Sequence, residues 1–181
     1  MPINKLIFLD VDGVLNSAEF AEWCHYHPEF QKNGGYHQIS PTLVGRVLKI
    51  CEETGAKIVM SSSWRLWNFE QTVKNLSSKR DLRPILDNMV GITQRTEDRW
   101  RGQEIKYFLN DCRKNHFNTV TEGWNPLIKP NEKITNFPKF VIIDDDADML
   151  EEQLPFFIQT NFITGITDED VKKAIKILND E

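Results

Sequence analysis

Apolar and polar positions fall into blocks along this chain, and the blocks have two different periods. Lys5 leads into an unbroken apolar stretch, Leu6-Ile7-Phe8-Leu9, that stops at Asp10; a strand buried on both faces has this pattern. Ala56-Lys57-Ile58-Val59-Met60 has the same character and delivers Ser61, Ser62 and Ser63 at its carboxyl end. A third run, Phe140-Val141-Ile142-Ile143, ends in Asp144, Asp145, Asp146 and Asp148. Between these runs the spacing turns helical. Ser40-Pro41 supplies an N-cap and a first-turn proline, Leu43, Val47, Leu48 and Cys51 follow on one face, and Gly55 ends the pattern, so a helix is predicted over 41–54. Ile105, Phe108, Leu109 and Cys112 share a face of a helix over 101–115. Thr167-Asp168-Glu169-Asp170 caps a last helix carrying Val171, Ala174, Ile175 and Leu178.

Buried strands alternating with amphipathic helices predict an α/β fold, a doubly wound parallel sheet with helices on both faces. In such folds ligands bind outside the carboxyl ends of the strands. The three predicted strands end in Asp, Ser and Asp, so their polar ends would share one crevice. Residues 16–39 and 117–138 fit neither period. The first segment holds Trp23, His25, Tyr26, His27, Tyr36 and His37, and the second holds Gly123, Pro126, Pro130 and Pro138. Irregular segments of this length in a compact domain usually carry function or move.

Length and composition narrow the picture. The 181 residues make a single domain, with 16–39 as a small lid inserted after the first strand. Lys+Arg 22 against Asp+Glu 27 gives a net charge of −5, which argues against a broad nucleic-acid surface and leaves room for a local basic groove. No apolar run approaches the roughly 20 residues of a membrane helix, and Met1–Phe8 is too short for a signal peptide. A soluble, cytoplasmic protein is expected. Cys24, Cys51 and Cys112 are odd in number and not closely paired, so they are expected as free thiols. His25, His27 and His37 lack the spacing of a helical histidine pair and do not suggest zinc.

The chemistry lies in the acidic strand ends. Asp10-Val11-Asp12-Gly13-Val14 sets two carboxylates two residues apart just past a buried strand, with a glycine suited to a tight turn. One can attack an electrophile while the other protonates the leaving group and later activates water. Crowded carboxylates need a counterion, and a hard divalent cation with oxygen ligands, magnesium first, suits them better than zinc. An isolated Asp-x-Asp more often caps a turn. Its combination with Ser61 and the 144–148 cluster at the same sheet edge gives it weight.

These residues resemble the motifs of the haloacid dehalogenase superfamily. Asp10-Val11-Asp12-Gly13-Val14 is similar to its first motif, Ile58-Val59-Met60-Ser61 to its second, and Val141-Ile142-Ile143-Asp144-Asp145 to its fourth. The resemblance is closer to the phosphatase domains of multi-domain RNA repair proteins, the Swiss Army knife group. It is carried by Ser61-Ser62-Ser63-Trp64-Arg65, Arg101-Gly102-x-Glu104-Ile105, Asp144-Asp145-Asp146-Ala147-Asp148-Met149 and Gly165-Ile166-Thr167, and spans residues 5 to about 178.

The resemblance implies a magnesium-dependent phosphohydrolase. Asp10 would be the nucleophile that forms an aspartyl-phosphate, and Asp12 the general acid and base. Ser61 would hold a phosphoryl oxygen. Asp10, the main-chain carbonyl of Asp12, Asp144 and Asp145 would hold Mg2+, with the choice between Asp144 and Asp145 as direct ligand left open. The third motif requires a cation beside the phosphoryl group. Arg101 matches the branch and Lys106 matches the usual lysine chemistry, so both are candidates. Ser62 and Arg65 are candidate substrate contacts, Arg65 through a bidentate phosphate contact. Asp146 is expected as a solvated neighbour, Asp148 as an orienter of metal water or a helix cap, and Trp64 and Trp67 as packing residues.

A lid of this size leaves the site open, which suits large phosphorylated substrates such as nucleic-acid or nucleotide phosphate ends. Arg65, Arg95, Arg99 and Arg101 would give local positive charge. Two alternatives stand beside this reading: a phosphate-end binding or interaction module with little turnover, and a phosphatase of small phosphorylated metabolites.

Overall fold

The protein is described from a computed structural model over residues 2–27, 39–65, 72, 74, 76, 82–113 and 134–180. Its elements are β1 (Ile3–Leu9), α1 (Ala18–Tyr26), α2 (Pro41–Thr54), β2 (Lys57–Met60), α3 (Arg83–Asn88), β3 (Met89–Ile92), α4 (Arg101–Arg113), β4 (Ile134–Asp144), β5 (Phe157–Gln159) and α5 (Asp168–Asn179). A 3-10 helix over Glu151–Phe156 precedes β5. All strand pairs are parallel, in the order β3-β2-β1-β4-β5.

Strand alternation divides the core into two layers. Ile7, Leu9, Ile58, Met60, Val141 and Ile143 face Val44, Val47 and Ile50 of α2 and Val171, Ala174 and Leu178 of α5. Leu6, Phe8, Val59 and Ile142 face Ile105, Phe108, Leu109 and Cys112 of α4. Phe8 meets Phe108 edge to face, with ring centroids 5.5 Å apart. A fully buried side chain of this size contributes about 1.5–3 kcal/mol, so both faces help to hold the sheet. This is the doubly wound α/β fold the periodicity predicts. Its helices change face between β1 and β4, the neighbouring strands whose ends carry the acidic motifs.

Capping follows the sequence signals. The Ser40 hydroxyl accepts the Leu43 N–H at 3.4 Å and Gly55 closes α2. Thr167 and Asp170 cap each other's backbone at the start of α5.

Two irregular segments need correction. The 16–39 segment is not irregular throughout: α1 occupies 18–26, with the Ser17 hydroxyl accepting the Phe20 N–H at 3.2 Å. The N–H groups of Ala18 and Glu19 bond the carbonyls of Phe162 and Ile163, each at 3.1 Å, and so dock α1 on the turn after β5. Residues 28–38, with Tyr36 and His37, lie outside the described residues, as do Trp67 and 114–133. The 117–138 segment ends in regular structure, since β4 starts at Ile134. Proline inside a strand is tolerated at an irregularity, and one is present. Between its pairs Ile3–Ile134 and Lys5–Lys139, β1 advances two residues while β4 advances five and passes Pro138.

All three cysteines are buried and free. Burial pushes the thiols of Cys51 and Cys112 up to about 12, which leaves them unreactive. No helix among the described residues is long and apolar enough to cross a membrane.

Candidate active site

Backbone bonds that continue just past the strands align the site. The Asp10 N–H donates to Ile143 O at 3.0 Å, Ser61 to Leu9 O at 2.8 Å, Thr93 to Met60 O at 3.0 Å and Thr160 to Asp144 O at 2.9 Å. Each strand end is thereby held level with its neighbour, and Asp10, Ser61, Thr93 and Asp144 stand along one edge. Gly13 makes the turn possible. Its φ is 63°, and a Cβ there would come within 2.4 Å of Asp145 Cγ. Glycine therefore lets the 144–146 loop close over the turn.

The floor of the crevice is a buried charge cluster. Asp10 and Asp144 are 5% and 1% exposed. One carboxylate oxygen from each of Asp10, Asp144 and Asp145 lies within 4.8 Å of the others, the only such metal-capable group among the described residues. Arg101, the first residue of α4, reaches into this group. Its Nη2 is 3.7 Å from Asp10 Oδ1 and its Nε is 3.0 Å from Asp144 Oδ2. Even so, Asp10 Oδ1, Asp144 Oδ2 and Arg101 Nε are all buried without a hydrogen bond, because the Arg101 N–H is not directed at the oxygen beside it.

Electrostatics follows from this burial. Loss of water raises Asp10 to about 6, against the attraction of Arg101 and a hydrogen bond from Ser62. Loss of water and the neighbouring Asp10 raise Asp144 to about 8, with Arg101 opposing. Burial also raises Asp145, assisted by Asp146. For Arg101 burial acts downward, but Asp10, Asp144, Glu104 and Asp148 together outweigh it and hold the guanidinium charged. Two buried carboxylates with unbonded oxygens facing a third form an all-oxygen donor set that, once ionised, carries more negative charge than one guanidinium can balance. Such a set fits a hard divalent cation.

Asp12, two residues on, is fully engaged. Its Oδ1 accepts Asn16 Nδ2 at 2.8 Å, and its Oδ2 accepts Trp64 Nε1 at 2.9 Å and the Ser63 hydroxyl at 3.4 Å. Asn16 also accepts the Gly13 N–H at 2.9 Å, tying the carboxylate to the turn. Ser61 is buried with its hydroxyl 3.2 Å from that of Thr93. Ser62 is also buried, accepts the Trp64 N–H at 3.2 Å, and bonds Asp10.

A family model described as the HAD domain in Swiss Army Knife RNA repair proteins matches residues 6–171. The chain belongs to that family. No curated protein and no solved structure gives a significant match. Membership in this HAD family together with the acidic group indicates a phosphohydrolase-type domain with carboxylates able to hold a metal ion.

Within the HAD frame two candidates move away from the reaction. Arg65 is 2% exposed and pairs with Glu104, itself 3% exposed, while its Nη1 donates to the Ser62 carbonyl. It is a strut beneath the loop rather than the bidentate phosphate contact expected, because both of its terminal nitrogens are engaged by protein. Lys106 lies on the outer face of α4, is 45% exposed, and pairs with Glu152 at 2.9 Å. Little more than one turn separates it from Arg101, and that turn carries it out of the crevice. Asp148 caps a helix, but not the one that follows it: its Oδ2 accepts the Arg101 N–H at 3.0 Å and starts α4. The close approach needs Gly102, where a Cβ would meet the Leu150 nitrogen at 2.6 Å.

Sequence reasoning assigns no role to Asn16, Thr93 or Glu104, and it reads Trp64 as packing alone. Trp64 does pack on the core, and its indole N–H also holds Asp12. Glu104 sits inside a quoted motif, so the sequence marks its position but not its partner.

Proposed function

We propose that the domain is a magnesium-dependent phosphomonoesterase that works through an aspartyl-phosphate on Asp10. The observation that carries this reading is the pair of buried, unbonded oxygens on Asp10 and Asp144, with Asp145 nearby and a charged Arg101 beside them.

In this mechanism a carboxylate oxygen of Asp10 attacks phosphorus and the bond to the leaving oxygen breaks. Asp12 gives that oxygen its proton. Asp12, held by Asn16 and Trp64, then takes a proton from the water that attacks the acyl phosphate, so inorganic phosphate leaves and Asp10 is restored. The Ser61 hydroxyl and the Arg101 guanidinium hold the equatorial phosphoryl oxygens. Asp10, Asp144, Asp145 and the main-chain carbonyl of Asp12 would hold Mg2+, which would supply charge neutralisation.

For the substrate we propose polynucleotide or nucleotide phosphate ends, acted on in the cytoplasm. The family description supports this class. So does Arg95, an exposed arginine whose Nη2 donates to the carbonyls of Ser63 and Arg65 at 2.9 and 3.1 Å, on the same loop that holds Asp12. An arginine so anchored leaves the rest of its guanidinium for a further phosphate.

Release of phosphate from an aryl phosphate in Mg2+ tests the chemistry. Chelation should abolish it, and Asp10→Asn should cost about four to six powers of ten. Undiminished activity in Asp10→Asn would remove the nucleophile. A panel of oligonucleotide 3′-phosphate, oligonucleotide 5′-phosphate, mononucleotide, sugar phosphate and phosphopeptide tests the substrate class. A sugar phosphate with much higher kcat/KM than every nucleic-acid substrate would overturn it and leave the mechanism standing.

A further inference from the structure

We propose that Glu104 is a positioning residue that yokes the hydroxyl loop after β2 to Arg101 on α4. The inference rests on the phosphatase reading above. Glu104 lies one turn into α4 on its buried face and is 3% exposed, with three groups gathered on its two oxygens. Oε2 pairs with Arg65 Nη2, and Arg101 Nη1 is 3.8 Å away. Oε1 accepts the Thr96 N–H at 3.3 Å. Arg65 in turn donates to the Ser62 carbonyl, and Ser62 bonds Asp10. One buried carboxylate thus joins the loop bearing Ser61 and Ser62, the loop after β3, and the cation of the site.

Arg101 is drawn two ways. Asp10 and Asp144 pull it toward the floor of the crevice, at 3.7 and 3.0 Å, while Glu104 pulls it back along the helix. A guanidinium that settled fully on Asp10 and Asp144 would cover the nucleophile and compete with a metal cation for their oxygens. Glu104 therefore holds the guanidinium short of a hydrogen bond to either of those oxygens and keeps it facing the phosphoryl group. Arg65, as the second cation on Glu104, fixes where that counter-pull acts.

The test compares Glu104→Gln with the double variant Glu104→Gln/Arg65→Met. In Glu104→Gln we expect kcat for an aryl phosphate to fall about 10- to 100-fold with KM little changed, as for other groups that orient a ligating shell. The melting temperature should also fall, because Arg65 is left buried and uncompensated. The double variant removes that stray charge, so its melting temperature should recover while kcat does not. In both variants more Mg2+ should be needed to reach half of the maximal thermal stabilisation. Recovery of kcat together with melting temperature would make Glu104 merely structural and overturn the proposal. If the wild-type chain turned over no phosphate ester, the phosphatase reading would fail. The Mg2+ titration would still decide this inference, and an unchanged midpoint in the variants would reject it.

Discussion

The floor and the rim of the crevice are two residues apart in sequence and opposite in construction. On the floor, Asp10 and Asp144 are buried with oxygens that no hydrogen bond satisfies. On the rim, Asp12 has Asn16, Ser63 and Trp64 on its two oxygens. Burial without hydrogen bonds is costly, and in a folded protein it calls for a partner. In the proposed mechanism the floor receives a cation and an anion from outside. The rim is already complete and holds one carboxylate still, which suits the proton-transfer role proposed for Asp12.

Removing the floor's own cation breaks this contrast most severely. Arg101→Gln should lower kcat about 10²- to 10³-fold, the usual effect of losing one group that stabilises developing charge. It should also lower the melting temperature in chelator, since Asp10 and Asp144 lose their only close positive charge among the described residues. Arg101→Lys should recover part of both. Steady-state kinetics beside thermal melts would check this. Equal activity in Arg101→Gln and wild type would show that the cation of the third motif lies elsewhere.

A cation added from outside sharpens the same contrast. Asp10 and Asp144 stand at about 6 and about 8, above their ordinary value of 3.8, so across that window the folded chain binds more protons than the unfolded chain. Their contribution to stability therefore falls as pH rises through the window. In the proposed site Mg2+ would take the place of the departing protons. Its stabilisation should be small at pH 5, where protons hold the site, and should grow toward about pH 8.5, beyond both carboxyl values. At a hundred times its dissociation constant it should reach about 2.7 kcal/mol. Melting curves with and without Mg2+ at several pH values would measure this, and stabilisation that shrank with rising pH would contradict the assignment of these two carboxylates.

The sequence was informative wherever a long period or a dense polar cluster stood out. Leu6–Leu9 and Val141–Ile143 have the pattern of inner strands, and the helices at 41–54 and 168–179 carry both their caps and their apolar faces. β3 and β5 were not legible. β3 has four residues with a glycine among them, and β5 has three residues just after Pro155, too few to establish a period. At the site, Asp10, Asp12, Ser61 and the 144–145 pair stand out in the sequence because each lies at a strand's carboxyl end or in the few residues after it. Which of Arg101 and Lys106 enters the crevice was not legible, because five residues along a helix change the face by more than a side chain can span. Arg65 read as a phosphate ligand because exposure cannot be seen in sequence, and its partner Glu104 is 39 residues away.

The smallest expected effect is on the rim. Trp64→Phe keeps an aromatic ring against the core and removes the pyrrole half of the indole with the N–H that donates to Asp12. Asn16 and Ser63 still hold the carboxylate, so the side chain should gain freedom rather than leave the site. A hydrogen bond to a charged group contributes about 1.5–3 kcal/mol, and remaining donors and water recover part of that, so kcat should fall about five- to tenfold. KM for an aryl phosphate should stay near its wild-type value, because the indole N–H that the substitution removes donates to Asp12, while Ser61 and Arg101 face the phosphoryl oxygens in the proposed mechanism. The Mg2+ stabilisation should be unchanged, because the floor is untouched. A Trp64→Phe variant that lost Mg2+ stabilisation together with kcat would show that floor and rim form one unit, and their separate construction would then have no separate role.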